Sequence, residues 1–461
     1  MKLSETITLR DYQEEMVIKT LDAINELESE QAFGEPDSYT IIMKLLMSAG
    51  KEQPYSEKIL TPNGWTTMGE LQKNDFVIGS DGKSKKVLET FEQGEKDVYQ
   101  LTFLDGTTVK CGYEHLWEIQ YFKKNSNKKG CFLTSKVVDF NYLYNKRTNI
   151  KNKQFYIRLT KAIEYTNNEN EKLPIDPYAL GLLLGDGSFR GHKSRIMFSN
   201  SKKAIRDCLE ENLLGNDKTS NIRTRENSKT IDINILGGET SREIQKLGLN
   251  NLKSYEKFIP NIYKKSSIRN RQKLLQGLID TDGSWINSSL NEYSTSSKQL
   301  AYDVVELARG LGIYTTISSR IPKYTYKSEK KTGKRNYRIF LNYNKNKKLI
   351  TKIEKLNYKE KSKCIMIDSE DHLYVTNEYN LTHNTYTALA LANELSKRGE
   401  KIGIFFPYKI LVDQFAESAR EANIEIGVIS SGTKNPNPEA SIQVCMIQTL
   451  HSMYRNNKLD I

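Results

Sequence analysis

Two aspartates, Asp186 and Asp282, stand 96 positions apart, each closing an apolar segment and each followed by glycine and serine. The segments read Ala179-Leu-Gly-Leu-Leu-Leu-Gly-Asp-Gly187 and Leu275-Gln-Gly-Leu-Ile-Asp-Thr-Asp-Gly283. Two such carboxylates at one centre are hard oxygen ligands for Mg2+, with phosphate oxygens of a substrate filling the rest of the shell. Cations held there activate water and stabilise a leaving oxygen. A second constellation is divided between distant parts of the chain. Gly50-Lys51 ends a short apolar strand running from Tyr39 to Met47, and a helical pattern opens at Thr385-Tyr386-Thr387. A phosphate loop needs a strand, a turn whose N–H groups face the phosphates, and Gly-Lys-Ser/Thr opening a helix. Without residues 52–384 the chain reads Leu-Leu-Met-Ser-Ala-Gly-Lys-Thr-Tyr-Thr, with these parts in order. Gly50, Lys51 and Thr385 then become candidate contacts for ATP and its Mg2+.

The junction carries chemistry of its own. Reading back from Thr385 gives Leu381-Thr382-His383-Asn384. Asn384 can cyclise through its side-chain amide and break the bond that follows it. His383 is the adjacent proton donor, and Thr385 offers a hydroxyl to receive an acyl group. Together with Lys58-Ile-Leu-Thr-Pro-Asn-Gly-Trp65, Met68-Gly-Glu-Leu71, Lys363-Cys-Ile-Met-Ile-Asp368 and Asp371-His-Leu-Tyr-Val-Thr376, these residues make 52–384 resemble an intein, a self-excising insert.

Inteins usually begin with Cys or Ser, whereas Lys51 is followed here by Glu52-Gln53-Pro54-Tyr55. The class that lacks a first-residue nucleophile, class 3, carries a Trp, Cys, Thr triplet, and Trp117, Cys364 and Thr382 match it. The resemblance implies that Cys364 attacks the Lys51 carbonyl, that His115 polarises that amide, and that the acyl group passes to Thr385. Splicing of this kind takes no cofactor. A thiol becomes a usable nucleophile where its neighbours favour the thiolate, and the oxyanion that develops on the carbonyl needs a donor. The other four cysteines read as structural.

The two Asp-Gly motifs resemble those of LAGLIDADG homing endonucleases, a likeness covering residues 173–345. It implies two helices packed through Gly181 and Gly277, Asp186 and Asp282 as catalytic Mg2+ ligands, and double-stranded DNA as substrate. From Arg320 to Lys348 the sequence has eleven Lys and Arg against one Glu, with Tyr324, Tyr326, Tyr337 and Tyr343 interspersed. That pattern suits a phosphate backbone. Lys323 or Lys327 is the candidate catalytic lysine of the second half.

Residues 1–51 and 385–461 resemble superfamily 2 helicases of the DEAD/DEAH-like kind. Leu9-Arg10-Asp11-Tyr12-Gln13 is similar to the adenine-reading glutamine motif, Phe405-Phe406-Pro407 to motif Ia, and Met446-Ile447-Gln448-Thr449 to the strand before motif II. Gln13, Gly50, Lys51 and Thr385 would contact ATP after rejoining, and the rejoined protein would act on nucleic acid. Ser48 departs from the usual loop glycine, and no Asp-Glu box appears before Ile461, so ATP hydrolysis by this chain alone is not expected.

Elements must place these groups. Asn-Gly and Asp-Gly turns punctuate β-branched and aromatic runs from Glu52 to about Gln120, the pattern of an all-β unit. Two related apolar helices in 173–345 suggest a duplicated half-domain. After Thr385 helices and strands alternate.

The expected fold is multidomain. An all-β intein (Hint) splicing domain is interrupted by a pseudo-two-fold α/β LAGLIDADG endonuclease and flanked by two pieces of a P-loop α/β helicase domain. Its parts are a helicase fragment (1–51), splicing domain (52–125), a basic bridge (126–172), endonuclease (173–345), splicing domain (346–384) and a second helicase fragment (385–461). A net charge of +12 suits a polyanion partner. The five cysteines form no CxxC pair, and no run reaches the ~18 apolar residues of a membrane span. A monomeric cytoplasmic protein without membrane contact is expected. The competing reading is a basic DNA-binding or helicase fragment whose intein no longer reacts.

Overall fold

Asn63-Gly64 and Asp105-Gly106 close tight reversals because glycine alone takes their backbone angles without strain, φ +118° and +83°. The first joins strands Lys58–Thr61 and Gly64–Thr67, the second Ser84–Phe103 and Thr108–Cys111. The computed structural model describes residues 52–113, 115–124, 131–146, 154–165, 172–189, 196–224, 229–326, 329–369, 371, 373–382, 396–397, 399, 401–406, 409–421, 424–430, 437 and 439–456. Gln13, Gly50, Lys51, His383, Asn384, Thr385 and Lys327 lie outside the described residues, as do the segments Leu9–Gln13 and Tyr39–Met47.

Two long strands carry the β-rich part. Ser84–Phe103 runs antiparallel to Lys347–Ile367, from the pair Phe103↔Ile350 to the pair Val87↔Ile367. The register shifts at Lys355/Lys359 and at Ser362/Lys363, and such bulges bend and twist a ladder. Strand Gln53–Pro54 joins the same sheet, as does Phe76–Ile78. A four-stranded sheet packs nearby in the order Asn380–Thr382, Tyr374–Thr376, Lys58–Thr61, Gly64–Thr67. Ile59, Met68, Leu71, Val77, Val87, Ile365, Ile367 and Tyr374 form a buried cluster of this unit. The stretch read as a basic bridge holds strand Cys131–Asp139, paired with Leu116–Lys124, and strand Tyr156–Arg158, paired with Lys347–Leu349. Both extend the sheet built on the two long strands.

Residues 177–342 contain the same plan twice. A motif helix is followed by two strands, a helix and two strands, in a four-stranded sheet ordered first, second, fourth, third. The motif helices are Pro177–Asp186 and Ile268–Asp282. The following helices are Lys203–Glu211 and Lys298–Gly310. The second copy adds a hairpin, Lys323–Tyr326 with Glu329–Thr332, between its third and fourth strands.

Near the C-terminus, Ile402–Phe406, Ile442–Met446 and Gly427–Ile429 form a parallel sheet with helix Lys409–Glu421. The Met446-Ile447-Gln448-Thr449 stretch is not one strand: the strand ends at Met446, and Ile447 opens helix Ile447–Arg455. Ile447, Leu450 and Tyr454 recur at three- and four-residue spacing, which suits a helix. Among the described residues no helix is long and apolar enough to cross a membrane.

Candidate active sites

The first motif helix begins where Asp176 accepts hydrogen bonds from the N–H groups of Tyr178 and Ala179, with Pro177 at its first position. Ser267 caps the second helix in the same way through Asn270 N–H. The two helices touch backbone to backbone. A Cβ on Gly181 would lie 2.4 Å from the Leu274 carbonyl oxygen, and one on Gly277 would lie 2.4 Å from that of Tyr178. Asp186 and Asp282 are the last residues of their helices, and the following Gly187 and Gly283 are extended. The pairing of helices therefore brings the two carboxylates to one centre.

The electrostatics of that centre favour a cation. Burial raises the Asp186 carboxyl above its usual value, against an Asn200 amide that donates to it at 2.6 Å and the nearby charges of Lys257 and Lys202. Burial and the Asp186 charge push Asp282 up to about 6, with Lys257 acting in the opposite direction. Burial disfavours the ionised form of both carboxylates, and a divalent cation between them would stabilise it. Among the described residues no group of three or more His, Cys, Asp and Glu surrounds them, so water or substrate oxygens would complete the shell of an ion held here. The donor set thus fits Mg2+ bound together with a phosphodiester.

Lys257 was not legible in the sequence. Its ammonium is buried and donates to the carbonyls of Leu183, Leu184, Gly185 and Gly187 at 2.7–3.3 Å. Those oxygens form the negative end of the first motif helix. Burial lowers the lysine to about 8, while Asp282 and Asp186 hold it up. Ser297 fixes its backbone by donating to the Lys257 carbonyl at 2.6 Å. Its only sequence hint is a charged residue leading the apolar run Phe258-Ile259-Pro260. Lys323, by contrast, is exposed at the start of its strand. Trp285, just after the second motif, is exposed, and its ring lies 5.8 Å from that of Tyr343.

Trp117, His115, Cys364 and Thr382 are all fully buried. The His115 Nε2 and Thr382 Oγ1 are hydrogen-bonded, and the His115 and Trp117 rings meet edge to face with centroids 5.4 Å apart. Cys364 sits in the long strand Lys347–Ile367, opposite Phe91. The first residues of the β-rich unit reach it directly. Gln53 pairs with Lys363 and Pro54 with Ser362, so the same register continued by one residue sets Glu52 opposite Cys364. Tyr374 donates from Oη to Gln53 Oε1 at 2.9 Å and is close enough to Cys364 to feel its charge. Cys111 is also close. Burial raises its thiol well above the ordinary value, the Trp117 indole opposes this, and the Glu52 and Glu57 charges add to it. A thiol so held stays protonated and inert. Of the residues singled out at the junction, the structure joins His115 to Thr382 and to Trp117, and sets Cys364 in the strand that pairs with Gln53 and Pro54.

Residues 270–345 match the family model of the LAGLIDADG-like domain. The chain is 23% identical over 442 residues to a protein named replicative DNA helicase DnaB from Mycobacterium intracellulare, covering 85% of this chain and 69% of that protein. A span of 442 residues exceeds the 128 residues outside 52–384, so the similarity takes in the inserted region. The DnaB helicase of Mycobacterium leprae is 28% identical over 94 residues, 20% of this chain and 16% of that protein. Among solved structures, I-DmoI in complex with DNA and Mn aligns with a TM-score of 0.26 and 13% identity, over 36% of this chain and 89% of that one. The gp41-1 intein aligns with a TM-score of 0.15 and 23% identity, over 20% of this chain and 81% of that one.

Proposed function

We propose that the chain is a precursor in which residues 52–384 excise themselves as a class 3 intein and carry a site-specific DNA endonuclease. The observation that carries the splicing half is the ladder seating Gln53 against Lys363, one residue from Cys364.

In this reading the Cys364 thiolate attacks the Lys51 carbonyl carbon. The Lys51–Glu52 bond breaks, and the Glu52 amine leaves with a proton, giving a branched thioester. His115 would polarise the amide or hand over that proton. The Thr385 hydroxyl then attacks the thioester and expels the Cys364 thiolate. Asn384 next closes its side-chain amide nitrogen onto its own carbonyl, with His383 as proton donor. The bond to Thr385 breaks, the insert is released as a succinimide, and the freed Thr385 amine takes the acyl group to make the peptide. The product rejoins Gly50-Lys51 to Thr385. With Gln13 these form the ATP and Mg2+ site of a helicase-like protein acting on nucleic acid, its motifs similar to superfamily 2.

In the nuclease half Asp186 and Asp282 would hold Mg2+, which lowers the pKa of bound water and stabilises the leaving oxygen. Asn200 and Lys257 keep the carboxylates oriented and their charge partly balanced. The substrate is the uninterrupted gene across the Lys51/Thr385 codons, since an inserted copy destroys its own site. Expression of the full chain tests the splicing half. A 128-residue ligated product and a free 333-residue insert are expected. A protein that keeps the full mass of the precursor would favour the inert-insert reading.

A further inference from the structure

The duplicated α/β unit and the β-rich unit meet in a buried seam of charges. Arg309, in helix Lys298–Gly310, donates from Nε to Thr315 Oγ1 at 3.0 Å and lies 3.8 Å from Asp105 and 3.7 Å from Glu378. Lys348, 2% exposed, is 3.1 Å from the same Asp105 carboxylate and donates to Asn380 Oδ1 at 2.8 Å and to the Glu378 carbonyl at 3.3 Å. Arg271, in the first turn of the second motif helix, donates to the Gly310 carbonyl at 3.0 Å and to that of Ile163. Its guanidinium also stacks 5.0 Å over the Tyr165 ring, whose hydroxyl is 3.4 Å from that of Tyr379. Asp105, Lys348 and Arg309 are buried together, and removing one member of such a group leaves an uncompensated charge.

What the seam grips is an unusual turn. Glu378 and Tyr379 both have positive φ, +54° and +62°. Two successive non-glycine residues in the left-handed region survive only where their surroundings over-determine them. The Glu378 carboxylate lies 3.7 Å from Arg309 and accepts from the Thr108 N–H at 3.1 Å, Lys348 donates to the Glu378 carbonyl, and the Tyr165 and Tyr379 hydroxyls are hydrogen-bonded. From this turn the chain enters strand Asn380–Thr382, and Asn384 follows two residues later.

We infer that Arg309 and Arg271 of the endonuclease unit are positioning residues for the last splicing step, holding the left-handed turn that leads into strand Asn380–Thr382, two residues before Asn384 in sequence. The inference rests on the splicing reading above and deepens it. The nuclease unit contributes to excision without using Asp186 or Asp282.

The test follows the branched species and the released product separately, by gel and mass, in full-length precursors. Arg309→Met should form the branched species at the wild-type rate and release product about tenfold more slowly, the factor corresponding to about 1.4 kcal/mol. Arg309→Lys, with one point charge in place of a fork, should fall between. Adding Glu378→Gly to Arg309→Met should restore most of the rate, because glycine takes positive φ without strain. A merely structural role for Arg309 would leave the double variant as slow as the single one. If Arg309→Met fails to fold by circular dichroism, Arg309→Lys with and without Glu378→Gly decides in the same way. Wild-type release by the Arg309 variants, or slowing that glycine does not rescue, overturns this inference alone. Absence of both branched species and product in the wild type overturns the splicing reading as well.

Discussion

Gln53 lies directly across an antiparallel ladder from Lys363, the residue before Cys364. Opposed residues in such a ladder have Cβ atoms roughly 5 Å apart, so the start of the insert is held within reach of a thiol far away in sequence. Cys364→Ala should therefore abolish both branched intermediate and ligated product, as read by mass. Glu52→Ala should have a much smaller effect. Cys111→Ser should still splice, because that thiol is held protonated by burial. Normal splicing by Cys364→Ala would end the assignment.

At the other junction, Asn384→Ala removes the amide that cyclises, and branched species should accumulate. Thr385→Ala removes the acceptor hydroxyl and should give upstream cleavage without ligation. Electrophoresis of the purified chains separates these outcomes from clean ligation, which would exclude the altered residue from the mechanism.

Asp186→Asn or Asp282→Asn takes a charge from the cation site, and double-strand cleavage of a plasmid bearing the rejoined sequence should be lost. Splicing should continue in both, since none of its steps uses these carboxylates. Lys257→Met should also depress cleavage and lower the melting temperature, because four carbonyl oxygens lose their shared donor. Equal cutting by all variants and the wild type would sink the assignment.

Glu57 gives a pH prediction. It is buried, with its carboxylate accepting from Thr376 Oγ1 at 2.9 Å and from the Lys110 N–H at 3.2 Å. Burial outweighs those bonds and raises it from 4.5 to about 7. The folded state thus holds this proton more tightly than the unfolded chain does. Its contribution is fully present below about 4.5 and is lost as pH rises through about 7. In a splicing-blocked Cys364→Ala background, Glu57→Gln should flatten the decline in melting temperature between about pH 5 and about pH 8. A parallel decline in both proteins would refute it.

DNA binding should weaken steeply with salt. Each phosphate neutralised contributes roughly −0.9 to the slope of log K against log salt. Replacing Lys323, Lys330 and Lys331 with Gln should make the slope shallower by about 2–3. An unchanged slope would show that the hairpin faces away from the duplex.

Features set by near neighbours could be read from the sequence. Gly64 and Gly106 sit in turns because their own φ angles demand it, and the small residues Gly181 and Gly277 stand where two helices touch. The motif spacing foretold a duplication, and the strand orders of its two sheets repeat it. Lys257 escaped notice because its role comes from carbonyls some 70 positions earlier, and nothing local distinguishes it from a surface lysine. The stretch after residue 125 reads as a basic bridge because Lys and Asn mask two strands whose partners lie elsewhere. Long-range ion pairs such as Arg309 with Asp105 have no sequence signature at all.

Arg158 and Lys347 are paired across a ladder, and the whole duplicated α/β unit lies between them. Adjacent strands are about 4.8 Å apart, so the chain departs from the β-rich sheet and returns to it through a gap one strand wide. A two-residue reversal would span that gap. Acquiring or shedding the passenger is, for the sheet, no larger a topological change than lengthening or shortening a hairpin. The stem is therefore a natural graft point for any folded unit whose ends lie that close. A substitute unit would not bring the contacts of Arg309 with Glu378, so a chain carrying one would need another partner for that turn.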